Sequence, residues 1–509
     1  MLARIATFAI DGVQPRRVWV EVDIHSGLPT FTIVGLGDAA VRESRDRIRA
    51  AIQNSGFEFP ARRITANLAP AFLRKTGPGF DAAIALGVLA ASGQVSGEAL
   101  SDYAVFGELS LGGELRDSPG ALAVAEGTRR AGLQRLIVPR HRAREAALVP
   151  GVEVAGVTTL RAAAALLAGG AVPPLPDEVP ERAGGARAGS VPDLRDVRGH
   201  ASAVFALEVA AAGGHHLLLE GPPGTGKTML ARRLPSILPP MTQHEALSVT
   251  RIHSVAGLHH RGLITRRPFR APHHTISAAG LVGGGAAPRP GEATLADRGV
   301  LFLDELSEFA RSSLDALRQP LEDGHVTIVR GQRALVFPTR FMLVAATNPC
   351  PCGYAGDGDR CTCAEPDLLR HRRRLTGPLL DRIDLRIRLD RPSEGERRGA
   401  PVTASVSAAA RVAAARERQG QRLRGSGWTC NGELDAGLTA CQLAFDERAA
   451  NLLARAYASG ALSARGRHRL LRVARTVADL AGHELIGEAD LVAALALRGG
   501  ATAGSELAA

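Results

Sequence analysis

At 509 residues the chain is long enough for two to four domains, each with its own buried core. Hydrophobic residues at 45% and charged residues at 22% exclude a disordered chain, and no apolar run is long enough for a bilayer-spanning helix. The net charge of +11 points to an acidic partner, with nucleic acid first among the choices, although heavy arginine usage alone can produce it. Six cysteines in so long a chain do not form a disulfide framework, and Met-Leu-Ala-Arg-Ile-Ala-Thr carries no signal-peptide core. A reducing cytoplasm is therefore the expected compartment.

Residues 1–169 read as one α/β domain. Trp19–Ile24 and Pro29–Val34 alternate as strands, Asp38–Gln53 reads as a helix capped by Asp38, and Arg63–Leu68 reads as a further strand. Lys75-Thr-Gly-Pro-Gly-Phe-Asp81 is a turn that opens an apolar helix, Ala82–Ala91, and Val105–Leu109 and Leu136–Val138 are strand candidates. This turn, together with Gly107-Glu-Leu-Ser-Leu-Gly-Gly-Glu-Leu-Arg-Asp-Ser-Pro-Gly120, resembles the proteolytic domain of Lon-type proteases and its relatives in RadA-like proteins. The resemblance places Gly79 at the nucleophilic serine and Leu122 near the catalytic lysine. With neither group of the dyad in place, the expectation is a platform for assembly or DNA contact rather than a peptidase. Lys75 is read equally as a solvated surface lysine or as a functional one.

Residues 170–191, rich in Pro, Gly and Ala, read as a linker. The apolar run Leu217–Leu219 then breaks into Gly221-Pro-Pro-Gly-Thr-Gly-Lys-Thr228 and an apparent helix, Met229–Leu234. That is strand, loop and helix, and the loop fits the phosphate-binding pattern G-x-x-x-x-G-K-[ST]. Gly221, Pro222, Pro223, Gly224, Thr225 and Gly226 would turn backbone N–H groups towards one anion. Lys227 would reach the β- and γ-phosphates of ATP, and Thr228 would offer its hydroxyl to Mg²⁺. Only two lysines occur, Lys75 and Lys227, against sixty arginines, so a chain committed to Arg retains Lys at this position.

Val300–Leu303 is a buried strand ending in Asp304-Glu305. Asp304 is expected to hold Mg²⁺ and Glu305 to act as general base. Phe341–Thr347 is another buried strand, tipped by Asn348, which fits the sensor residue of AAA+ ATPases. Gly377-Pro-Leu-Leu-Asp-Arg-Ile-Asp384 resembles the arginine-finger element of Mg-chelatase ATPases and minichromosome-maintenance helicases, which assigns the finger to Arg382.

Further stretches complete a family resemblance. They are Arg267-Pro-Phe-Arg-Ala-Pro-His-His-Thr-Ile-Ser277, Pro290–Gly299, Asn348-Pro-Cys-Pro-Cys-Gly353 and Leu462–Leu480. Together they resemble the ComM/YifB family of Mg-chelatase-like AAA+ ATPases over nearly the whole chain. Departures are His200, where Gln is expected, and Arg467, where an aromatic is common. The resemblance implies a Lon-like front domain, a P-loop AAA+ α/β core with a parallel sheet (192–390), a linker (391–407), a helical lid (408–498) and a tail (499–509). It also implies a hexameric ring with ATP sites between subunits and a second sensor arginine from the lid. Arg465 matches that position, with Arg472 as its rival.

His325–Pro338 reads as a β-hairpin with Arg330 and Arg333 at its tip, placed to touch DNA phosphates without sequence choice. The histidines of His253–Gly285, among them His259, His260, His273 and His274, lack metal-binding spacing and read as structural or substrate-contacting. Cys350, Cys352, Cys361 and Cys363 form two C-x-C pairs that read as a tetrahedral Zn²⁺ site in preference to four free thiols. Arg370–Arg374 is a basic cluster facing either DNA or a neighbour's acids. The expected function is an ATP-driven ring motor on DNA, with branch migration in recombination or natural transformation as its specific form. The alternatives are a metal-chelatase motor subunit, against which the Lon-like front domain argues, and a chaperone-like protein remodeller.

Overall fold

The computed structural model describes residues 2–176, 192–258, 262–285, 288–330, 333–356, 360–375, 379–435, 437, 443–458 and 462–499. The linker from residue 177, His259, His260, Gly377, Pro378, Cys441 and the tail after Gly499 lie outside the described residues. The chain forms two compact units, each described by itself. The first comprises Met1–Arg182, Thr242–Thr265 and Thr327–Phe337, and the second comprises Ala183–Met241, Arg266–Val326 and Pro338–Ala509.

The N-terminal unit is built on a seven-stranded mixed sheet. Its strands are β1 (Leu2–Asp11), β2 (Gln14–His25), β3 (Thr30–Val34), β4 (Arg63–Ala69), β5 (Tyr103–Val105), β8 (Arg135–Pro139) and β9 (Glu153–Val157), with a separate two-stranded pair β6 (Glu108–Leu109) and β7 (Leu115–Arg116). The order is β3-β4-β2-β1-β5-β8-β9. β1 and β2 pair antiparallel from Leu2↔Asp23 to Asp11↔Gln14, and β5, β8 and β9 run parallel. Among the helices that pack on it are α1 (Ala39–Asn54), α2 (Asp81–Ala91) and α3 (Ala121–Arg130). The Asp38 side chain caps α1 by accepting from the Val41 N–H, as its sequence position predicts. Every residue of α2 is buried, which its run of Ala, Ile, Leu and Val requires.

The Lon-like turn and the Gly107–Gly120 stretch lie against each other: the Gly107 N–H donates to the Gly79 carbonyl and the Ala82 N–H to the Gly107 carbonyl. A Cβ built at Gly79 would stand 2.5 Å from the Phe106 ring, and Leu122 is fully buried. Lys75 is not a solvated surface lysine. It is completely buried, and its Nζ donates to the Pro70 carbonyl. Asp81, equally buried, takes hydrogen bonds from Arg47, Ser44 and the Leu109 N–H.

Two segments that the sequence boundaries give to the ATPase core belong to this unit. Gln243–Val255 is a helix opened by a Thr242–Glu245 capping box, and it lies on α3. Its Arg251 pairs with Glu126 at 2.7 Å, and Leu247 packs on the α3 core. The hairpin strand Arg333–Pro338 brings Phe337, fully buried, to the β1–β2 turn at Gly12. Sequence proximity to the core does not predict either placement, because tertiary packing decides it.

The second unit holds a five-stranded parallel sheet. Its strands are β10 (Leu217–Glu220), β11 (Phe269–Arg270), β14 (Val300–Leu303), β17 (Met342–Thr347) and β18 (Leu385–Arg388), in the order β11-β14-β17-β10-β18. Between them in sequence lie a short pair, β12 (Gly283–Gly284) and β13 (Arg289–Pro290), and the hairpin strands β15 (His325–Arg330) and β16 (Arg333–Pro338). Strand residues alternate between two cores. Leu217, Leu219, Phe302 and Val344 face one, and Leu218, Leu301, Leu303 and Leu343 face the other. The lid shares the first core through Ser405–Arg422, Glu447–Ala458 and Ala464–Ala481. Among the described residues, no helix is long and apolar enough to cross a membrane.

Candidate nucleotide-binding site

Three adjacent parallel strands deliver their carboxyl ends to one place. The register Leu303↔Ala345 and Glu220↔Thr347 aligns β14, β17 and β10, so Asp304, Asn348 and Gly221 leave the sheet side by side. This edge is where open α/β sheets bind ligands. From β10 the chain turns through Gly221–Gly226 into the helix Lys227–Ala231, shorter than the Met229–Leu234 expected because a 3₁₀ turn takes over at Leu234–Ser236. Gly226 has φ +86°, a left-handed value that favours glycine and aims the following N–H groups out of the helix end.

Lys227 is 9% exposed. Its Nζ donates to the Gly221 carbonyl at 2.5 Å, the Pro222 carbonyl at 2.9 Å and Asn348 Oδ1 at 3.1 Å. Burial pushes its ammonium below the ordinary range, and Asp304 and Glu305 oppose that shift. The Thr228 hydroxyl donates to Asp304 Oδ2 at 2.7 Å, and the Glu305 N–H donates to Asp304 Oδ1 at 3.1 Å. A hydroxyl and a carboxylate in contact are an oxygen donor set suited to a hard divalent cation such as Mg²⁺. Glu305 sits at φ +53°, strained for a residue with a side chain, and is 57% exposed on its side chain. His274 Nδ1 lies 3.5 Å from Glu305 Oε2, and its ring stacks on His273 with centroids 4.1 Å apart.

Sequence reasoning does not assign two residues that the fold brings to this site. His274 is read from the sequence only as structural or substrate-contacting. His371 is read as part of a basic cluster, yet it is buried with Nε2 2.9 Å from the Asn348 carbonyl oxygen.

Arg382 and Arg465 form a separate group. Arg382 pairs with Glu322, and burial, then Arg318 and Arg465, push its guanidinium below its ordinary range. Arg465 is exposed. Its rival Arg472 is committed elsewhere, pairing with Asp384 at 2.8 Å and donating to the Gly432 carbonyl. Arg475 is likewise tied down, to Asp479 at 3.1 Å and the Glu484 carbonyl. Asp384 also meets His215 Nδ1 at 3.1 Å, and His215 Nε2 meets the Thr476 hydroxyl at 2.8 Å. This buried network joins His215, just before β10, with Asp384, just before β18, and with the helix Ala464–Ala481. Burial would raise the Asp384 carboxyl, but Arg472 and then His215 hold it well below the usual carboxylate range.

The four cysteines of the C-x-C pairs converge, with all four sulfurs within 4.8 Å of one another. Cys350 is buried and the others are partly exposed. Cys352 is the acidic thiol, drawn down to about 6, first by the Tyr354 N–H. The DNA-contact candidates Arg330 and Arg333 lie at the inner ends of β15 and β16, but their side chains lie outside the described residues.

The parallel sheet with this loop and these strand ends defines a P-loop AAA+ α/β core. Comparison with known sequences then places it. The family described as magnesium chelatase, subunit ChlI, matches residues 193–397, and related descriptions of ChlI and of its C-terminal part match 20–142 and 403–498. The chain is 42% identical over 504 residues to the uncharacterized protein YifB of Escherichia coli, covering 98% of this chain and 97% of that one. It is 41% identical over 510 residues to the competence protein ComM of Haemophilus influenzae, with the same coverage. A partial match to Lon protease 2 of Bacillus subtilis is 29% identical over 144 residues, 26% of each chain. The chain belongs to the Mg-chelatase-like family that contains YifB and ComM.

Proposed function

We propose that this chain is an ATP-hydrolysing ring motor that moves on DNA and drives branch migration in recombination or natural transformation. The observation that carries the reading is the split between its two charged groups. Lys227, Thr228, Asp304, Glu305 and Asn348 form one half-site. Arg382, Arg465 and Arg318 form another, in which Arg318 and Arg465 raise the cost of the Arg382 charge although Glu322 pairs with it. Such an arginine group is stabilised by a polyanion, and the triphosphate held by the P-loop of a neighbouring subunit has that chemistry.

In this reading Lys227 and the N–H groups of Gly224–Thr228 hold the phosphates of ATP. Thr228 and Asp304 hold Mg²⁺, which neutralises phosphate charge as it develops. Glu305 takes the proton of the attacking water, and His274 orients its carboxylate. Asn348 holds that water or the γ-phosphate in place. Arg382, in trans, stabilises the charge of the transferring phosphoryl group, and Arg465 adds to it. The subunits close as a hexamer.

The DNA half of the proposal draws on the +11 charge, the basic hairpin tip and the name of the competence relative. Arg330→Ala/Arg333→Ala should weaken DNA binding and lower the salt slope of log K by about 2. An unchanged slope removes those arginines from the interface. Displacement of labelled strands from three- and four-way junctions tests the motor, and failure to displace any strand while ATP is hydrolysed rules out branch migration.

A second reading, a metal-insertion motor subunit, has support in the family description. The front-domain argument against it carries no weight, because residues 20–142 themselves match a ChlI description. ATP turnover that is indifferent to DNA would favour it.

A further inference from the structure

We propose that Cys350, Cys352, Cys361 and Cys363 hold one Zn²⁺ ion, and that this ion fixes Asn348 and the P-loop, so that metal occupancy controls ATP turnover. The first half stands on the cluster itself. Cys350 Sγ lies 3.3 Å from Cys352 Sγ and 3.9 Å from Cys361 Sγ, and Cys352 Sγ lies 3.7 Å from Cys361 Sγ. Four thiolates around one zinc at a Zn–S distance of ~2.3 Å are ~3.8 Å apart. An iron–sulfur cluster divides its four thiolates among two or more iron atoms and so spreads the set wider. Neutral thiols are weak hydrogen-bonding groups and give little reason for four of them to converge. Two backbone donors face the sulfurs, Cys352 N–H to Cys363 Sγ at 3.4 Å and Ala355 N–H to Cys350 Sγ at 3.2 Å. Such outer contacts orient thiolate ligands. Partial exposure of Cys352, Cys361 and Cys363 leaves a path for the ion.

The second half, which rests on the nucleotide-site reading above, follows from what the loop touches. Asn348 directly follows β17 and stands two residues before Cys350. Its side chain accepts from Lys227 Nζ, and its carbonyl oxygen meets His371 Nε2. His371 lies on the helix Glu365–Leu375, which starts two residues after Cys363. The ion would therefore close a loop that leaves the site at Asn348 and returns to it at His371. The same loop lies on the P-loop. Gly353 has φ +88°, its N–H donates to the Cys350 carbonyl at 3.0 Å, and a Cβ there would stand 2.7 Å from Pro223 Cδ. Without the ion, the loop between the two C-x-C pairs regains its freedom, and Asn348 and Pro223 lose a fixed neighbour.

The full chain, purified and analysed for metals, should carry about one Zn²⁺ per chain, and Cys361→Ser/Cys363→Ser should carry almost none. A chain with less than about half an equivalent overturns the site. Zinc-selective chelation of the unmutated chain, with Mg²⁺ in excess, should slow ATP turnover by about 10- to 100-fold, and added Zn²⁺ should restore it. Chelation should also raise amide exchange in peptides covering Asn348–Gly356 and Gly221–Thr228, a readout independent of hydrolysis and of whether the Ser variant folds. Zinc loss that leaves both exchange and turnover unchanged overturns the coupling. If the unmutated chain binds zinc but hydrolyses no ATP, the nucleotide reading falls, and the exchange experiment still decides whether the ion fixes the loop.

Discussion

Thr76–Phe80 in the N-terminal unit and Gly221–Gly226 in the second are both glycine-bearing turns that open a helix, and each is flanked by one of the chain's two lysines. Both lysines are buried, and both donate to backbone carbonyls. The difference lies in what stands opposite. Behind the first turn Phe106 fills the space over Gly79, and Asp81 is consumed by Arg47, Ser44 and the Leu109 N–H. Beside the second turn Thr228, Asp304 and Asn348 converge, and Glu305 keeps an exposed carboxylate at a strained backbone position. A glycine turn with a lysine is thus a scaffold in one unit and a candidate phosphate cradle in the other, and the partners across the turn decide which.

The comparison can be broken most sharply through the arginine proposed to complete the second site from a neighbouring subunit. Arg382→Ala should lower ATP turnover by about 10³- to 10⁵-fold while nucleotide still binds. Mixing Arg382→Ala with Lys227→Ala subunits should restore part of it, and no recovery at any ratio contradicts a site shared between subunits. Next in size, Glu305→Gln should bind ATP but turn over about 10²- to 10⁴-fold more slowly. Normal turnover removes Glu305 as the base.

Lys75→Met tests the first turn. It should cost about 1–3 kcal/mol in denaturant unfolding, because the Pro70 carbonyl loses its donor, with ATP turnover unchanged. Loss of ATP binding in that variant, with stability intact, would erase the distinction between the turns.

The smallest effect is one of pH, and the two units should respond with opposite sign. Burial pushes His215 and His216 down, His216 to about 4. A depressed histidine favours the folded state above its unfolded value of ~6.5, and that stability is lost as pH falls. Burial raises the Asp81 carboxyl despite Arg47 and Ser44. Its contribution is complete below the unfolded value of ~3.9 and is lost as pH rises through the folded one. Amide exchange compared between pH 7 and pH 5 should therefore loosen the second unit around β10 more than the first around α2. Equal loosening would contradict the assignment.

Much of the site was legible because its chemistry is local. Gly221–Thr228, Asp304-Glu305 and Asn348 each end a short apolar strand, and parallel pairing brings those ends together. Most strands of the N-terminal sheet were legible, but β1 and β9 were not, since Leu2–Asp11 at its centre and Val154–Val157 are buried without a period of two. Long-range partners left no local mark. His215 and Asp384 are 169 residues apart and Arg472 lies 88 beyond Asp384, so only the fold distinguishes Arg472 as a structural arginine from Arg465. The membership of Gln243–Val255 and of Phe337 in the N-terminal unit is likewise a matter of packing, which neither periodicity nor spacing encodes.

The central claim is that the Lys227 site hydrolyses ATP in response to DNA. The most direct test is ATP turnover by the purified full chain, with and without single-stranded and branched DNA, beside a Lys227→Ala control. The account predicts turnover that rises with DNA and vanishes in the Lys227 variant. Turnover that ignores both DNA forms, or that survives loss of Lys227, would contradict it.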